Sequence, residues 1–375
     1  YDQDSIGFTV FASYPLRRWS FTRVGLTYSF QVANYSCFSE GCTNLFSQLS
    51  FRGALAGQMN SLEGIRVSSI TPTIFYNTVN HPFEPTAGTS FYLGGNLQGG
   101  FLGGNVNLLE PIVEFKHFRP DRWLSRGRHT LAFRLLGGFL TGFGGKVAPP
   151  YNRFYLGGED NIRGFEIRAI SPMAFMPIQS TMPVVFYDPT QLDPEGRPTV
   201  RYGIINVLSN TVLFPGGDAQ LVGNFEYRIP IQGPVSMALF FDAGLTTVLR
   251  RSQLRLNEAG LDSLRKTFPG VALDAELALI PDTNRQLRTS TGIEFIINLP
   301  IVNAPFRLYW AYNLHRLRTQ LTVPAMSFSE VEGAPLPPGV FEKQILPQLG
   351  TLYPPTTYNL SEPLRSFRFT VSRTF

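Results

Sequence analysis

The sequence predicts an all-β fold, an antiparallel transmembrane β-barrel with long outer loops. Three observations predict it. Among 375 residues there are 32 Phe, 15 Tyr, 35 Gly and 29 Pro, with only 16% charged, a composition that suits many strands joined by turns. Apolar and polar residues alternate with period two in about eleven segments. The connections between those segments alternate between short and long, as they do in outer-membrane barrels.

Taken in order, segments 6–13 and 21–32 form a first hairpin across Tyr14-Pro15-Leu16-Arg17-Arg18. A cysteine loop and an ambiguous stretch at 45–59 follow, then strands at 67–79, 89–101, 105–117 and 129–142. Strand signals stop over 144–203, a connection rich in Pro, Gly and Asp and too long to be an ordinary turn. They resume at 219–229, 235–248, 287–299, 306–317 and 364–375, and a short helix is expected at 254–266. The turns near Pro15, at 81–88, 230–234 and 300–305 are brief, whereas the other loops are long, and the Pro-rich stretches 334–338 and 347–355 point to ordered caps. In the last segment Phe367, Phe369, Val371 and Phe375 share one parity, the pattern of a final barrel strand whose apolar face meets lipid.

Several function classes are excluded. No segment approaches the roughly 20 consecutive apolar residues of a helical span. The formal charge of +5 is scattered along the chain, so nucleic acid is not an expected partner. Four His and two Cys, with no Ser-His-acid or metal-ligand spacing, leave no enzymatic or metal site, and no cofactor is expected. Gly157-Gly158 lacks the lysine and the strand-loop-helix context of a phosphate loop. Cys37 and Cys42, with four residues between them, read as a disulfide hairpin, with two free thiols as the alternative.

The most specific segment lies inside the long loop: Tyr155-Leu156-Gly157-Gly158-Glu159-Asp160-Asn161-Ile162-Arg163-Gly164-Phe165. Arg163 beside Gly164 allows a tight bend to project a guanidinium, a fork that pairs with carboxylates. Glu226 and Asp242 stand on the following strands with lumen-facing parity. From the residues alone, a solvated loop arginine and a lone lumen charge remain the alternative.

The loop resembles that of the BamA-type outer-membrane insertase and transporter superfamily, where a Gly-Gly pair precedes Val/Ile-Arg-Gly-Phe/Tyr. Phe240-Phe241-Asp242-Ala243-Gly244 is similar to the family's aromatic-Asp-x-Gly strand, Asn224-Phe225-Glu226-Tyr227-Arg228-Ile229-Pro230 to the strand before it, and Thr374-Phe375 to its ending. The resemblance spans about 65–375 in order and is strongest to the insertase branch. It implies a sixteen-stranded barrel, of which 1–375 is a single domain lacking the first strands and the N-terminal periplasmic repeat domains. It implies that 144–203 folds into the lumen, with Gly157, Gly158, Ile162, Arg163, Gly164 and Phe165 as the working motif and Glu226 and Asp242 as its wall partners. The implied function is to fold and insert β-barrel proteins into the outer membrane of a diderm bacterium through a lateral seam, one side of which is the C-terminal strand. The implied partners are outer-membrane lipid, unfolded barrel clients, and periplasmic and lipoprotein accessory subunits. A sister transporter for two-partner secretion or autotransporter assembly, or a passive porin-like barrel, are the competing expectations.

Overall fold

The computed structural model describes residues 2–38, 40–49, 63–82, 84–297, 305–331 and 336–371. The chain runs β1 (Asp2–Pro15), β2 (Thr22–Ser36), α1 (Glu40–Gln48), β3 (Ile65–Asn77), β4 (Gly88–Gln98), β5 (Leu108–Pro120), β6 (Thr130–Phe139) and β7 (Thr141–Gly142). It continues with β8 (Ala174–Leu192), β9 (Pro198–Leu213), β10 (Ala219–Gln232), β11 (Val235–Thr247), α2 (Glu258–Thr267), β12 (Ala278–Leu279), β13 (Arg288–Ile297) and β14 (Phe306–His315). The last elements are β15 (Arg318–Val323), β16 (Ser327–Glu330), α3 (Leu346–Leu352), β17 (Thr356–Ser361) and β18 (Arg365–Val371).

Eleven strands pair in the order β1-β2-β3-β4-β5-β6-β10-β11-β13-β14-β18, with β7 attached to β5. Every pairing along this path is antiparallel. The eleven period-two segments of the sequence fall on these strands. No described helix is long and apolar enough to cross a membrane, so it is strands that carry the apolar surface.

Alternation fixes which face is which. Phe225, Phe241 and Phe295 are 42%, 41% and 42% exposed, while Glu226, Asp242 and Glu294 beside them are 0% exposed. Large apolar side chains thus stand on the open face and acids on the covered, inner one, the inverse of a soluble sheet and the pattern required when lipid is the solvent.

Short turns gather at one end. The turn at 121–129 between β5 and β6 belongs with them, although the sequence showed no sharp break there, and it presents Trp123 and Leu124 to the exterior, as the turn at 16–21 presents Trp19. Long connections gather at the opposite end and form a shared core: Leu45 and Phe46 of α1 join Val106, Val147, Phe154, Leu254, Leu261 and Leu277. Cys37 and Cys42 are joined as a disulfide at the edge of this core. In α2, close to the helix expected at 254–266, Asn257 caps the N-terminus by accepting the Ala259 N–H at 3.1 Å.

The 144–203 connection departs from the irregular loop expected. Its first part stays irregular, but β8 and β9 form a long hairpin that begins within it. Pro177, Pro183 and Pro189 break the apolar alternation that would have marked β8 in the sequence. They are tolerated because, among the described residues, β8 beyond Phe175 pairs only with β9, leaving an edge where a missing N–H costs little. Val184, Phe186, Ile205 and Val207 of this hairpin pack against Leu336, Val340, Ile345 and Leu349, so the last long connection caps it. Residues 332–335 of the Pro-rich stretch, the 300–304 turn and Phe375 lie outside the described residues.

Candidate functional site: a loop arginine on the inner wall

Three residues downstream of a short 3-10 turn at Pro150–Asn152, the chain turns inward as a narrow loop. Leu156 and Ile170 exchange backbone hydrogen bonds at 3.0 and 2.9 Å, and the Gly158 N–H donates to the Phe165 carbonyl at 3.2 Å. Leu156, Ile162, Phe165 and Ile170 bury themselves with Val222 of β10, an apolar anchor for the loop tip. Two glycines let backbone and wall approach. A Cβ on Gly164, whose φ is +92°, would stand 2.4 Å from Asn313 Oδ1 and 2.8 Å from the Ala311 Cβ. A Cβ on Gly244 of β11 would stand 2.5 Å from Ile162 Cδ1.

At the tip, Arg163 is 1% exposed and makes five hydrogen bonds to three carboxylates. Nε and Nη2 donate to the two oxygens of Asp242 at 2.8 and 2.7 Å, and the Arg163 backbone N–H donates to Asp242 Oδ2 at 3.0 Å. Nη1 donates to Glu226 at 2.7 Å and to Glu294 at 2.8 Å. The guanidinium also lies 3.9 Å over the Phe240 ring. That ring fits because β13 carries Gly292 opposite it, where a Cβ would come within 2.8 Å of Phe240 Cζ.

Two further arginines complete the charge balance. Arg228 Nε donates to Glu226 at 2.7 Å and Arg307 Nη2 to Glu294 at 2.9 Å. Three guanidinium groups thus meet three carboxylates, and the buried cluster is neutral, as it must be to persist away from water. Around it the loop is tied to successive strands. Arg134 of β6 donates to the Asp160 carbonyl at 2.5 Å, Asn224 of β10 to the Asn161 carbonyl at 2.6 Å, and Asn313 of β14 to the Gly164 carbonyl at 3.0 Å. Arg368 of β18 pairs with Glu166. The loop therefore touches β6, β10, β11, β13, β14 and β18, six neighbours in the sheet.

A family model, the Omp85 superfamily domain, matches residues 1–329. The chain belongs to the Omp85 superfamily. In this Omp85 chain 186 residues are 29% identical to "Outer membrane protein assembly factor BamA" of Nitratidesulfovibrio vulgaris, covering 49% of the chain and 19% of that protein. Over 107 residues it is 31% identical to "Sorting and assembly machinery component 50 homolog" of Xenopus tropicalis, 28% of the chain and 22% of the relative. The matched part is thus about a fifth of each curated relative. Among solved structures, BamA from Haemophilus ducreyi lacking POTRA domains 1-3 aligns with a TM-score of 0.52 at 18% identity, over 84% of this chain and 52% of the other. With the all-β sheet described above, that likeness establishes the fold as an antiparallel outer-membrane β-barrel.

The residues singled out from the sequence are brought together as follows. Arg163 reaches Glu226 and Asp242, while Ile162 and Phe165 are buried beneath it and Gly157, Gly158 and Gly164 adopt positive φ. Phe367, Phe369 and Val371 line the open face of β18, 69%, 61% and 47% exposed, and are not brought into the arginine cluster. Three members of the cluster, Glu294, Arg228 and Arg307, were not singled out from the sequence. The signal for Glu294 was present, since Ile293-Glu294-Phe295 repeats the apolar-acid-aromatic pattern of Phe225-Glu226-Tyr227. No metal-binding group of His, Cys, Asp or Glu occurs among the described residues.

Proposed function

We propose that this barrel is the membrane part of an assembly factor that folds and inserts β-barrel proteins into a bacterial outer membrane. The observation that carries the reading is the buried grip of Arg163 on Glu226, Asp242 and Glu294, which locks the loop to the inner wall. Membership in the Omp85 superfamily and the similarity to named assembly factors support it.

In this reading the loop lies in the lumen and acts as a rigid brace. It holds β6, β10, β11, β13 and β14 in one register, with β18 last in the strand order. β18 pairs with β14 through seven residues, Arg365 to Val371, and in this reading a client strand joins the barrel beside β18 by β-augmentation. The Glu166 to Arg368 pair connects the brace to that strand. Clients and the accessory subunits of an assembly complex are the partners, with outer-membrane lipid around the open face.

Charge reversal tests the proposal: Arg163→Glu, Asp242→Arg and the two together, in the full-length protein, scored by cell viability and by assembly of a reporter barrel. Each single change is expected to abolish assembly and the double to restore part of it. A passive pore predicts that client assembly is unaffected by all three.

A further inference from the structure

At the short-turn end, the open face carries a groove of about 480 Å³ with a mostly apolar lining. Leu131 of β6, Phe225 of β10, and Leu239 and Phe241 of β11 form its floor, and Trp123 and Leu124 of the 121–129 turn form its rim. Trp123 and Leu124 are 95% and 85% exposed, yet the turn that holds them is firmly built. Asp121 accepts the N–H groups of Trp123 and Leu124 at 3.0 and 3.2 Å and the Tyr227 hydroxyl at 2.7 Å. His129 Nδ1 lies 2.9 Å from the same hydroxyl. Ser125 donates to the Asp121 carbonyl at 2.7 Å and accepts the His129 N–H at 2.8 Å. An exposed indole on so rigid a mount is poised for the membrane interface, where aromatic rings of barrels settle.

Charge completes the picture. Arg119, Arg122, Arg126 and Arg128 are all exposed in and beside this turn, and its single carboxylate, Asp121, is engaged by Tyr227 and the turn backbone. An apolar slot that opens onto arginines matches a molecule with an acyl chain and a phosphate head.

We propose that this groove is a binding site for an anionic phospholipid of the leaflet at the short-turn side. An acyl chain lies over Leu131, Phe225, Leu239 and Phe241, Trp123 sits beside the glycerol region, and the arginines of the turn hold the phosphate. The site does not depend on the assembly activity proposed above. It requires only that the open face meets a bilayer.

The test uses the full-length protein with Trp123 as its sole tryptophan, in vesicles that contain either phosphatidylglycerol or phosphatidylcholine with brominated chains. Quenching of Trp123 by brominated phosphatidylglycerol should report an association constant at least about five-fold above that for phosphatidylcholine, the worth of one basic side chain at an anionic surface. Arg122→Gln with Arg126→Gln and Arg128→Gln should remove the preference, and the corresponding lysine triple variant should retain most of it. Heat-modifiable gel mobility verifies that each variant is folded. Equal quenching by the two lipids overturns the proposal, as does absence of quenching by either, the result expected if protein fills the groove.

Discussion

The guanidinium of Arg163 meets the carboxylate of Asp242 edge to edge, with Nε and Nη2 each on one oxygen at 2.8 and 2.7 Å, and the Arg163 backbone N–H adds a third bond at 3.0 Å. Seventy-nine residues separate the two in sequence. A bidentate pair with a backbone contact orients the loop as well as attaching it, which a point charge does not achieve.

Glu294 stands between Arg163 and Arg307, bonded to both at 2.8 and 2.9 Å. A double-mutant cycle on Glu294→Gln and Arg307→Met should therefore show strong coupling. Each single change strands a buried charge and is expected to cost about 3–5 kcal/mol, whereas the double restores neutrality and costs less than the sum by 1 kcal/mol or more, to order of magnitude. Thermal unfolding in detergent measures it, and simple additivity would mean that Glu294 and Arg307 are not coupled.

Gly164→Ala tests how closely the loop must approach the wall. The new methyl would meet Asn313 Oδ1 at 2.4 Å on a backbone with φ of +92°. The expected cost is about 1–3 kcal/mol, borne by loop docking and not by the sheet. Limited proteolysis should then cut within 150–170 under conditions that leave the parent intact, with strand content unchanged by circular dichroism.

Acid should release the 121–129 turn late. The Tyr227 hydroxyl holds the Asp121 carboxyl below the ordinary aspartate range; burial opposes it as the next largest effect, and the N–H groups of Leu124 and Trp123 and the charge of His129 add to the lowering. A carboxyl lowered on folding contributes stability that is present above its unfolded value, about 3.9, and is lost as pH falls through the lower folded value. Trp123 fluorescence should hence stay constant from neutral pH down to about 4, near that unfolded value, and change only below it. In Tyr227→Phe the change should move to higher pH, and an unmoved transition would show that Asp121 does not latch the turn.

Legibility differed between the strands and the loops for a physical reason. A strand in lipid writes its orientation into every second residue, so the parity of Phe225-Glu226-Tyr227 and Phe241-Asp242-Ala243 placed both acids on the inner face without coordinates. The same rule applied to Ile293-Glu294-Phe295 would have placed Glu294 as well. Arg228 and Arg307 carried no such mark, because an arginine on a barrel's inner face is equally at home in water. β8 was hidden by Pro177 and Pro183, which erase a strand signal yet cost little on a sheet edge.

From the residues alone follow the eleven strands, their two faces and the inward parity of Glu226 and Asp242, all consequences of local alternation; the inward fold of the loop and the pairing of Arg163 with those two acids were legible only through the resemblance of the Gly157-Gly158 to Phe165 motif to the family's loop. Only the tertiary structure decided that a single guanidinium spans β10, β11 and β13, that Arg228 and Arg307 neutralise the remaining carboxylates, and that the last two long loops close over a β8–β9 hairpin. Those relations join residues up to at least 157 positions apart, and the register that aligns them is set by the pairing of whole strands and not by any one of them.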